Sequence, residues 1–224
     1  MDLSILCKSD LFHGVSADDL RGLLEEFPHQ IKSYEKGETI FHLMENASRV
    51  AIVLEGRVEA QKPFPNGNQV NVSAWVPGET IGPAPVFAKA HSFPCDIVAS
   101  TPATVIMFRK EDLILMMQKN LCVLENLTTE IATSTYMLQQ RLELLSYSGI
   151  AQKAGFWLLM QARQTGKDTI KIPGSVSKWA MMLNVSRPSL HRELKKLEER
   201  GIIAYDSSAI KILDQDALFE VLDQ

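Results

Sequence analysis

The spacing of apolar residues changes near residue 110, and this change constrains the fold more than any other feature of the sequence. Before it, short β-rich runs are separated by turn signals; after it, the spacing is helical. The candidate strands are 50–54, 69–75, 97–99 and 104–108. Strands at this spacing predict a small barrel or sandwich. The chain is therefore expected to be α+β, with β structure in its N-terminal half.

Two further signals frame this β zone. Residues 5–30 have amphipathic helical spacing, with Leu20, Leu23, Leu24 and Phe27 on one side, and predict a helix before the strands. Within the zone, Asn66-Gly67 predicts a tight hairpin between two strands.

Residues 111–146 have the spacing of one long helix. Positions three and four residues apart in alternation form a heptad seam: Leu124, Leu127, Ile131, Ser134, Leu138, Arg141 and Leu145. A stripe this narrow is typical of a coiled coil, so the sequence predicts a helix pair in a homodimer. Packing of the stripe on its own domain is the alternative. Residues 146–149 break the helical pattern and predict a hinge.

Charge is spread unevenly along the chain. The formal net charge is −4, but residues 1–149 hold 12 Lys/Arg and 18 Asp/Glu, whereas residues 150–224 hold 11 and 9. The difference, −6 against +2, indicates two domains with different partners. Six cations and three anions lie between Lys178 and Arg200. A solvated helix face is the plainer explanation of that cluster.

The basic segment has the capping and turn residues of two short helices. Ser175 can cap a helix over residues 176–182, and Ser186 can cap a second one with Pro188 in its first turn. Asn184 lies between them, where a left-handed turn residue is needed. The sequence predicts a helix-turn-helix.

A hairpin follows this motif. Gly201 ends the second helix, and residues 202–205 and 209–212 predict two strands joined at Asp206–Ser208. The second helix divides into an inward stripe of Leu190, Leu194 and Leu197 and an outward face of Arg187, His191, Arg192 and Lys195. Arginine reads guanine and lysine neutralises phosphate, so the outward face suits the major groove of double-stranded DNA. The predicted DNA-binding residues are Ser175, Lys178, Ser186, Arg187, Pro188, Ser189, His191, Arg192, Lys195 and Lys211.

With these motifs the chain resembles the Crp/Fnr family of bacterial transcription regulators over nearly its whole length. The segments 36–41 (KGETIF), 53–58 (VLEGRV) and 77–82 (PGETIG) are similar to the glycine corners of that family's cyclic-nucleotide-binding-like β-roll. The segments 183–187 (LNVSR) and 197–203 (LEERGII) are similar to the borders of its recognition helix.

The resemblance implies three regions and a set of partners. These are an effector-sensing β-roll over residues 1–110, of the double-stranded β-helix, jelly-roll-like type, a dimerisation helix over 111–146 and a winged helix-turn-helix DNA-binding domain over 147–224. It also implies a homodimer on a palindromic operator, a small-molecule effector and contact with RNA polymerase. Family members often carry Glu where Pro188 stands, so the operator is expected to differ from the common one at that step.

The β-roll departs from the cyclic-AMP-binding members of the family. Those members place a ribose-binding Glu where Pro83 stands and an Arg-Ser or Arg-Thr pair where Phe93 and Pro94 stand. No arginine lies between Arg57 and Arg109. A buried phosphate without a cation is poorly compensated, so cyclic-AMP binding is not expected.

The pocket region is apolar instead. The predicted effector-pocket residues are Gly78, Glu79, Ile81, Gly82, Pro83, Ala84, Val86, Phe87, Phe93 and Pro94. This lining fits a small apolar or aromatic ligand. A packed roll with no ligand is the alternative.

No cofactor and no metal site are predicted. One cysteine near the N-terminus, Cys7, is too few for the family's iron–sulphur cluster. Haem bound near His91 and Cys95 is the alternative, with His13, His29 and His42 as other ligands; a redox role for Cys95 or Cys122 is a further one. A ligand-binding module without specific DNA binding is the remaining hypothesis.

Enzymatic and membrane functions are not expected. The sequence contains no Walker loop, GxSxG, HExxH or CxxC motif, so no catalytic residues are predicted. There is no apolar run long enough to cross a membrane and no signal-peptide pattern at the start. Three widely spaced cysteines argue for a reducing compartment. The expected location is cytoplasmic.

Overall fold

The computed structural model describes residues 3–63, 69–206 and 208–223, and the chain divides into two compact units, Met1–Ser134 and Thr135–Gln224. Each unit has a hydrophobic core of its own. The elements that begin in the first unit are α1 (Ser4–Cys7), α2 (Ala17–Glu26), β1 (His29–Tyr34), β2 (Thr39–Phe41), β3 (Arg49–Glu55), β4 (Val58–Pro63), β5 (Gln69–Trp75), β6 (Thr80–Ile81), α3 (Pro83–Phe87), β7 (Asp96–Ala99), β8 (Ala103–Arg109), α4 (Lys110–Lys119) and α5 (Leu121–Ser146).

The strands of the first unit form two antiparallel four-stranded sheets. Their orders are β1-β8-β3-β6 and β2-β7-β4-β5. In the first sheet β3 and β8 pair along most of their length, with Val50 opposite Phe108. Val50 to Val53 are all fully buried, as expected of a central strand covered on both faces. The predicted β-roll of an α+β chain is confirmed. The predicted hairpin turn at Asn66-Gly67 lies outside the described residues.

The prediction of one helix over residues 5–30 was wrong. Helix α2 covers only Ala17–Glu26, with Ser16 as its N-cap, and residues from His29 onward belong to β1. Pro28 explains the end of the helix, because a residue before proline avoids helical backbone angles. Phe27 is accordingly extended, with φ −105° and ψ 131°. The amphipathic stripe itself is correct, since Leu20, Leu23, Leu24 and Phe27 are buried.

The prediction of one helix over residues 111–146 was also wrong. Asn120 separates α4 from α5 and has extended backbone angles, φ −134° and ψ 112°. Its side-chain Oδ1 accepts hydrogen bonds from the backbone N–H groups of Cys122, at 3.0 Å, and Val123, at 3.4 Å. Asparagine therefore caps the start of α5, and α5 remains a long helix of 26 residues.

The second unit contains the winged helix-turn-helix. Its further elements are α6 (Ile150–Thr165), β9 (Thr169–Lys171), α7 (Val176–Met182), α8 (Arg187–Glu199), β10 (Ile203–Tyr205), β11 (Ala209–Ile212), α9 (Gln215–Glu220) and a 3-10 turn (Val221–Asp223). The strands form an antiparallel sheet of order β10-β11-β9. The indole rings of Trp157 and Trp179 lie with centroids 4.9 Å apart in this unit's core. No described helix has the length and apolar character needed to cross a membrane.

Candidate nucleic-acid interface

The two helices of the motif are fixed by side-chain caps and a left-handed turn. Ser175 Oγ accepts a hydrogen bond from Lys178 N–H at 3.1 Å, and Ser186 Oγ accepts one from Ser189 N–H at 3.2 Å. Asn184 has φ +56° between the helices, a conformation that asparagine tolerates better than most residues. These local contacts set the angle at which α8 leaves α7.

We expect Ser186→Ala to destabilise the second unit by about 1 kcal/mol, because it removes the hydroxyl that satisfies a free N–H at the start of α8. Thermal or urea unfolding measures the loss. Ser177→Ala is the matched control, since Ser177 is exposed within α7 and is not its cap. An equal loss in both variants would mean that the cap contributes nothing specific.

Helix α8 buries one face and exposes the other. Leu190 and Leu194 are fully buried and Leu197 is 1 % exposed, all in the core of the second unit. Arg187, His191, Arg192 and Lys195 are exposed. The apolar stripe holds the helix in place, so the cationic side chains are presented from a rigid element.

The cationic side chains on the exposed face of α8 differ in whether they form ion pairs. No described residue forms an ion pair with Arg187 or Arg192 within 4 Å. Lys195, in contrast, donates to Glu198 Oε2 at 2.6 Å, and this hydrogen bond raises the pKa of Lys195. The two arginines are therefore the better candidates for direct contacts with bases, because guanidinium groups can bind a base edge through two hydrogen bonds.

Tyr205 on strand β10 completes this surface and was not predicted as part of it. Its hydroxyl lies 3.4 Å from His191 Nδ1, and the Lys195 ammonium lies 5.6 Å from the centre of its ring. Glu198 also accepts from the backbone N–H of Tyr205, at 3.0 Å. These contacts hold β10, the first strand of the wing, against α8. Only the i, i+3 spacing of Lys195 and Glu198 could have signalled this network.

The structure does not bring every predicted DNA contact to the same face. Lys211 pairs with Ala204 across the wing, whereas Tyr205 pairs with Ile210. Because side chains alternate along a strand, Lys211 lies on the sheet face opposite to Tyr205 and α8. Lys178 and Pro188 are exposed, and Ser189 is partly buried. Lys211 remains a predicted contact, but one separate from the α8 surface.

The predicted effector pocket is largely packed with side chains. Ile81 and Val86 are fully buried and Phe93 is 1 % exposed. The Phe93 ring stacks on Phe41 with centroids 4.4 Å apart, and its Cε1 would lie 3.1 Å from a Cβ placed on Gly82. Phe93 therefore fills the space in front of Gly82, which favours the alternative of a packed roll there.

The other residues predicted to line the pocket divide between core and surface. Gly78 and Pro83 are buried, Glu79 and Phe87 are partly buried, and Ala84 and Pro94 are exposed.

The residues considered for haem or redox chemistry lie in contrasting surroundings. Cys95 is 7 % exposed, and burial, followed by the charge of Asp96, raises the pKa of its thiol. A raised pKa lowers the thiolate fraction on which metal binding and oxidation depend. His91 is exposed with φ +44°. Within residues 3–63, 69–206 and 208–223, no three His, Cys, Asp or Glu side chains are grouped so as to hold a metal ion.

The predicted heptad seam of α5 is exposed in its C-terminal half, but Leu127, nearer the start of the helix, is buried. Leu138 is 60 % exposed and Leu145 41 %, and Leu142, which was not predicted, is 61 % exposed. Leu127 is 2 % exposed because it packs in the core of the first unit, so it is not available to a partner helix. Leu138 and Leu145 keep the predicted spacing, and Leu142 rather than Arg141 is the exposed leucine between them.

The four other predicted seam residues also differ in their surroundings. Leu124 is 37 % exposed, Ile131 packs partly against the first unit's core, and Ser134 is exposed. Arg141 is exposed and donates to the backbone carbonyl of Met182 within its own unit.

Comparison with known families covers both units. Residues 31–120 match the cyclic nucleotide-binding domain, and residues 152–221 match the Crp-like helix-turn-helix domain. The chain belongs to the Crp/Fnr family. This Crp/Fnr protein is accordingly a DNA-binding transcription regulator. It is not an enzyme, because the family consists of transcription factors.

Relatives of this Crp/Fnr regulator are similar along most of their length. The cyclic AMP receptor protein of Thermus thermophilus is 22 % identical, and the alignment covers 95 % of this chain and 96 % of the relative. The global nitrogen regulator of Synechococcus elongatus is 25 % identical, with 86 % of this chain and 90 % of the relative aligned.

Solved structures agree with the fold. The Thermus thermophilus catabolite activator protein superposes with a TM-score of 0.57 at 21 % identity, covering 96 % of this chain and 99 % of the other. CprK complexed with OCPA superposes with a TM-score of 0.59 at 17 % identity, covering 90 % and 92 %.

Proposed function

We propose that this regulator binds a palindromic operator as a homodimer and that an effector other than cyclic AMP controls it. The observation that carries the DNA-binding proposal is helix α8, which presents Arg187 and Arg192 above a buried leucine stripe, with no ion pair to either arginine among the described residues. The exposed leucines of α5 support the dimer. A two-fold axis through paired α5 helices would place the half-sites about one DNA turn apart.

Selection from random double-stranded DNA tests this proposal. We expect a palindrome with half-sites about 10 bp apart, bound by a complex whose light-scattering mass corresponds to two chains. The selected site should differ at the step facing Pro188 from that of family members with glutamate there. Recovery of unrelated sequences with equal affinity would contradict specific binding and favour the module without operator recognition.

We expect Arg192→Ala to weaken binding to the selected operator by about 1–3 kcal/mol and to relax preference at one base pair. The reason is the loss of a guanidinium that can make two hydrogen bonds to a guanine edge. Fluorescence anisotropy against the operator and its single-base variants measures both effects.

Lys178→Ala is the control for this variant. Its exposed ammonium group suits a phosphate contact, which carries no sequence information. We expect an equal loss on all sequences and a smaller dependence of affinity on salt. If Arg192→Ala behaved in the same way, its assignment to base readout would be wrong.

Charge and packing support the proposed independence from cyclic AMP. The stretch between Arg57 and Arg109 supplies no guanidinium for a cyclic phosphate, and the Phe93 ring lies against Gly82. A buried phosphate anion that lacks charged donors is not compensated for its lost hydration. Isothermal titration with cyclic AMP should therefore show no saturable heat at micromolar concentrations. A micromolar affinity that Gly82→Leu abolishes would contradict this proposal.

A further inference from the structure

A cavity of about 770 Å³ lies in the second unit, beside the C-terminal end of α5. Helices α5, α6 and α9 line it. Its apolar wall consists of Tyr136, Tyr147, Phe156, Met160, Phe219 and Leu222. The volume is within the range of about 300–1,000 Å³ typical of small-molecule sites, which are also lined mainly by apolar and aromatic groups.

The polar groups of this cavity define the chemistry that fits it. Gln140 Oε1 is buried and has no hydrogen-bond partner among the described residues, although a buried acceptor normally has one. Gln139 and Gln215 also line the cavity, as do two anions, Glu143 and Asp168, against one cation, Arg163. Burial, and then the charges of Glu143 and Asp223, raise the pKa of the Tyr147 hydroxyl. The cavity therefore offers acceptors and a surplus of negative charge.

We infer that this cavity is the effector site and that it takes a planar aromatic amine whose N–H donates to Gln140 Oε1. The aromatic side chains would contact the faces of the ligand, and the amide oxygen would gain the donor that it lacks. This inference rests on the proposed effector-responsive function, to which it adds a site and a ligand class.

The location of the cavity couples a bound ligand to α8, the proposed DNA-reading helix, through α6. Helix α5 lines the cavity with Gln140 and Glu143 and exposes Leu138 and Leu142 elsewhere on its surface. Helix α6 contacts both α8 and α9. A ligand held between α5 and α6 would favour one orientation of the DNA-reading helix relative to the proposed dimer helix. The ligand would shift the free-energy difference between the two orientations by the difference between its binding free energies for them.

Two fluorescent probes with the same ring system test the ligand class on the full chain. N-phenyl-1-naphthylamine carries one N–H donor and no charge, and 1-anilinonaphthalene-8-sulfonate adds a sulfonate. We expect saturable binding of the neutral amine and binding of the sulfonate at least about tenfold weaker, because two carboxylates face the cavity. Equal or tighter binding of the sulfonate would contradict the inferred chemistry.

Variants locate the bound probe. Met160→Trp should fill the cavity and weaken binding of the neutral amine more than about tenfold. Gln140→Leu should weaken it about two- to tenfold through loss of one hydrogen bond. Met181→Trp is the matched control, because Met181 is 73 % exposed on α7, and should leave binding unchanged. Circular dichroism checks that each variant is folded. Unchanged binding in both cavity variants would place the probe elsewhere and overturn the inference.

Operator affinity then tests regulation separately from binding. Saturating amine should change the affinity for the selected operator by about 5–150-fold in the native sequence and should have no effect on Met160→Trp. A bound amine that leaves operator affinity unchanged would overturn the effector role. Failure to bind any operator with or without the amine would refute the proposed function instead.

Discussion

Gly56→Ala is expected to destabilise the β-roll by about 2–5 kcal/mol. Gly56 joins β3 to β4 with φ +81°, and a Cβ there would lie 2.1 Å from the carbonyl oxygen of Pro102. The left-handed conformation costs about 1–2 kcal/mol for a residue with a side chain, and steric overlap in a packed region adds about 1–3 kcal/mol. The carbonyl belongs to the backbone, so no side-chain rotation relieves the overlap.

Gly37→Ala separates the two causes. Gly37 has φ +89°, but a Cβ there would meet no atom within 4 Å. It should cost only the conformational part, about 1–2 kcal/mol. Urea unfolding of both variants, followed by circular dichroism, measures the difference. Equal losses would show that the chain before Ala103 moves away from Gly56 at negligible cost.

The winged helix-turn-helix could be predicted from sequence because its signals are local. Ser175 and Ser186 act within three residues of themselves, and Asn184 determines its own backbone angle. The inward stripe of α8 also depends only on helical spacing. Each signal agrees with the others, so no long-range contact was needed to place the exposed arginines.

The helix boundaries of the first unit are harder to predict from sequence, because single residues that end a helix compete with apolar spacing that continues past them. Pro28 ends one helix and Asn120 divides another, although the apolar spacing continues across both. Leu127 shows a different limit. Its position in a heptad is correct, but burial against a β core depends on residues far away in the chain.

The surroundings of the functional residues depend on tertiary structure. Tyr205 reaches His191 and Lys195 only because the wing folds against α8. Phe93 was predicted to line a pocket, and its apolar character is equally consistent with the close packing on Phe41 that the structure shows. Composition distinguishes an apolar region from a polar one, but not a filled space from an open one.

Glu130 on α5 has a partly buried carboxyl group, and its ionisation is expected to make the stability of the fold depend on pH. Glu130 faces Thr80, on β6, and the carboxylates of Asp10 and Glu79 lie near it. Asp10 and His13 line the same surface depression. Burial, which is the largest cause, and the charges of Asp10 and Glu79 together raise the pKa of Glu130 from 4.5 to about 7, against an opposing effect of the Thr80 hydroxyl. Oε2 of Glu130 has no hydrogen-bond partner among the described residues.

Glu130→Gln should therefore remove a pH-dependent loss of stability. A carboxyl group whose pKa is higher in the folded chain than in the unfolded one stabilises the fold least when it is ionised. Its favourable contribution is complete below pH 4.5 and is lost as the pH rises through about 7. Between pH 5 and pH 8 this group alone should lower the free energy of unfolding by about 2.5 kcal/mol in the native sequence. The glutamine variant should lack that decrease.

Urea unfolding of the two proteins across this pH range measures the difference, and Glu125→Gln is the control. Glu125 is exposed on the same helix, so its replacement should leave the pH dependence of the native chain in place. The variant should thus gain stability relative to the native chain only as the pH rises. A constant difference at all pH values would mean that Glu130 is neutral or ionised throughout. In that case the contact between Glu130 and Thr80 on β6 would not depend on pH, and the carboxylates of Asp10 and Glu79 would not raise the pKa of Glu130.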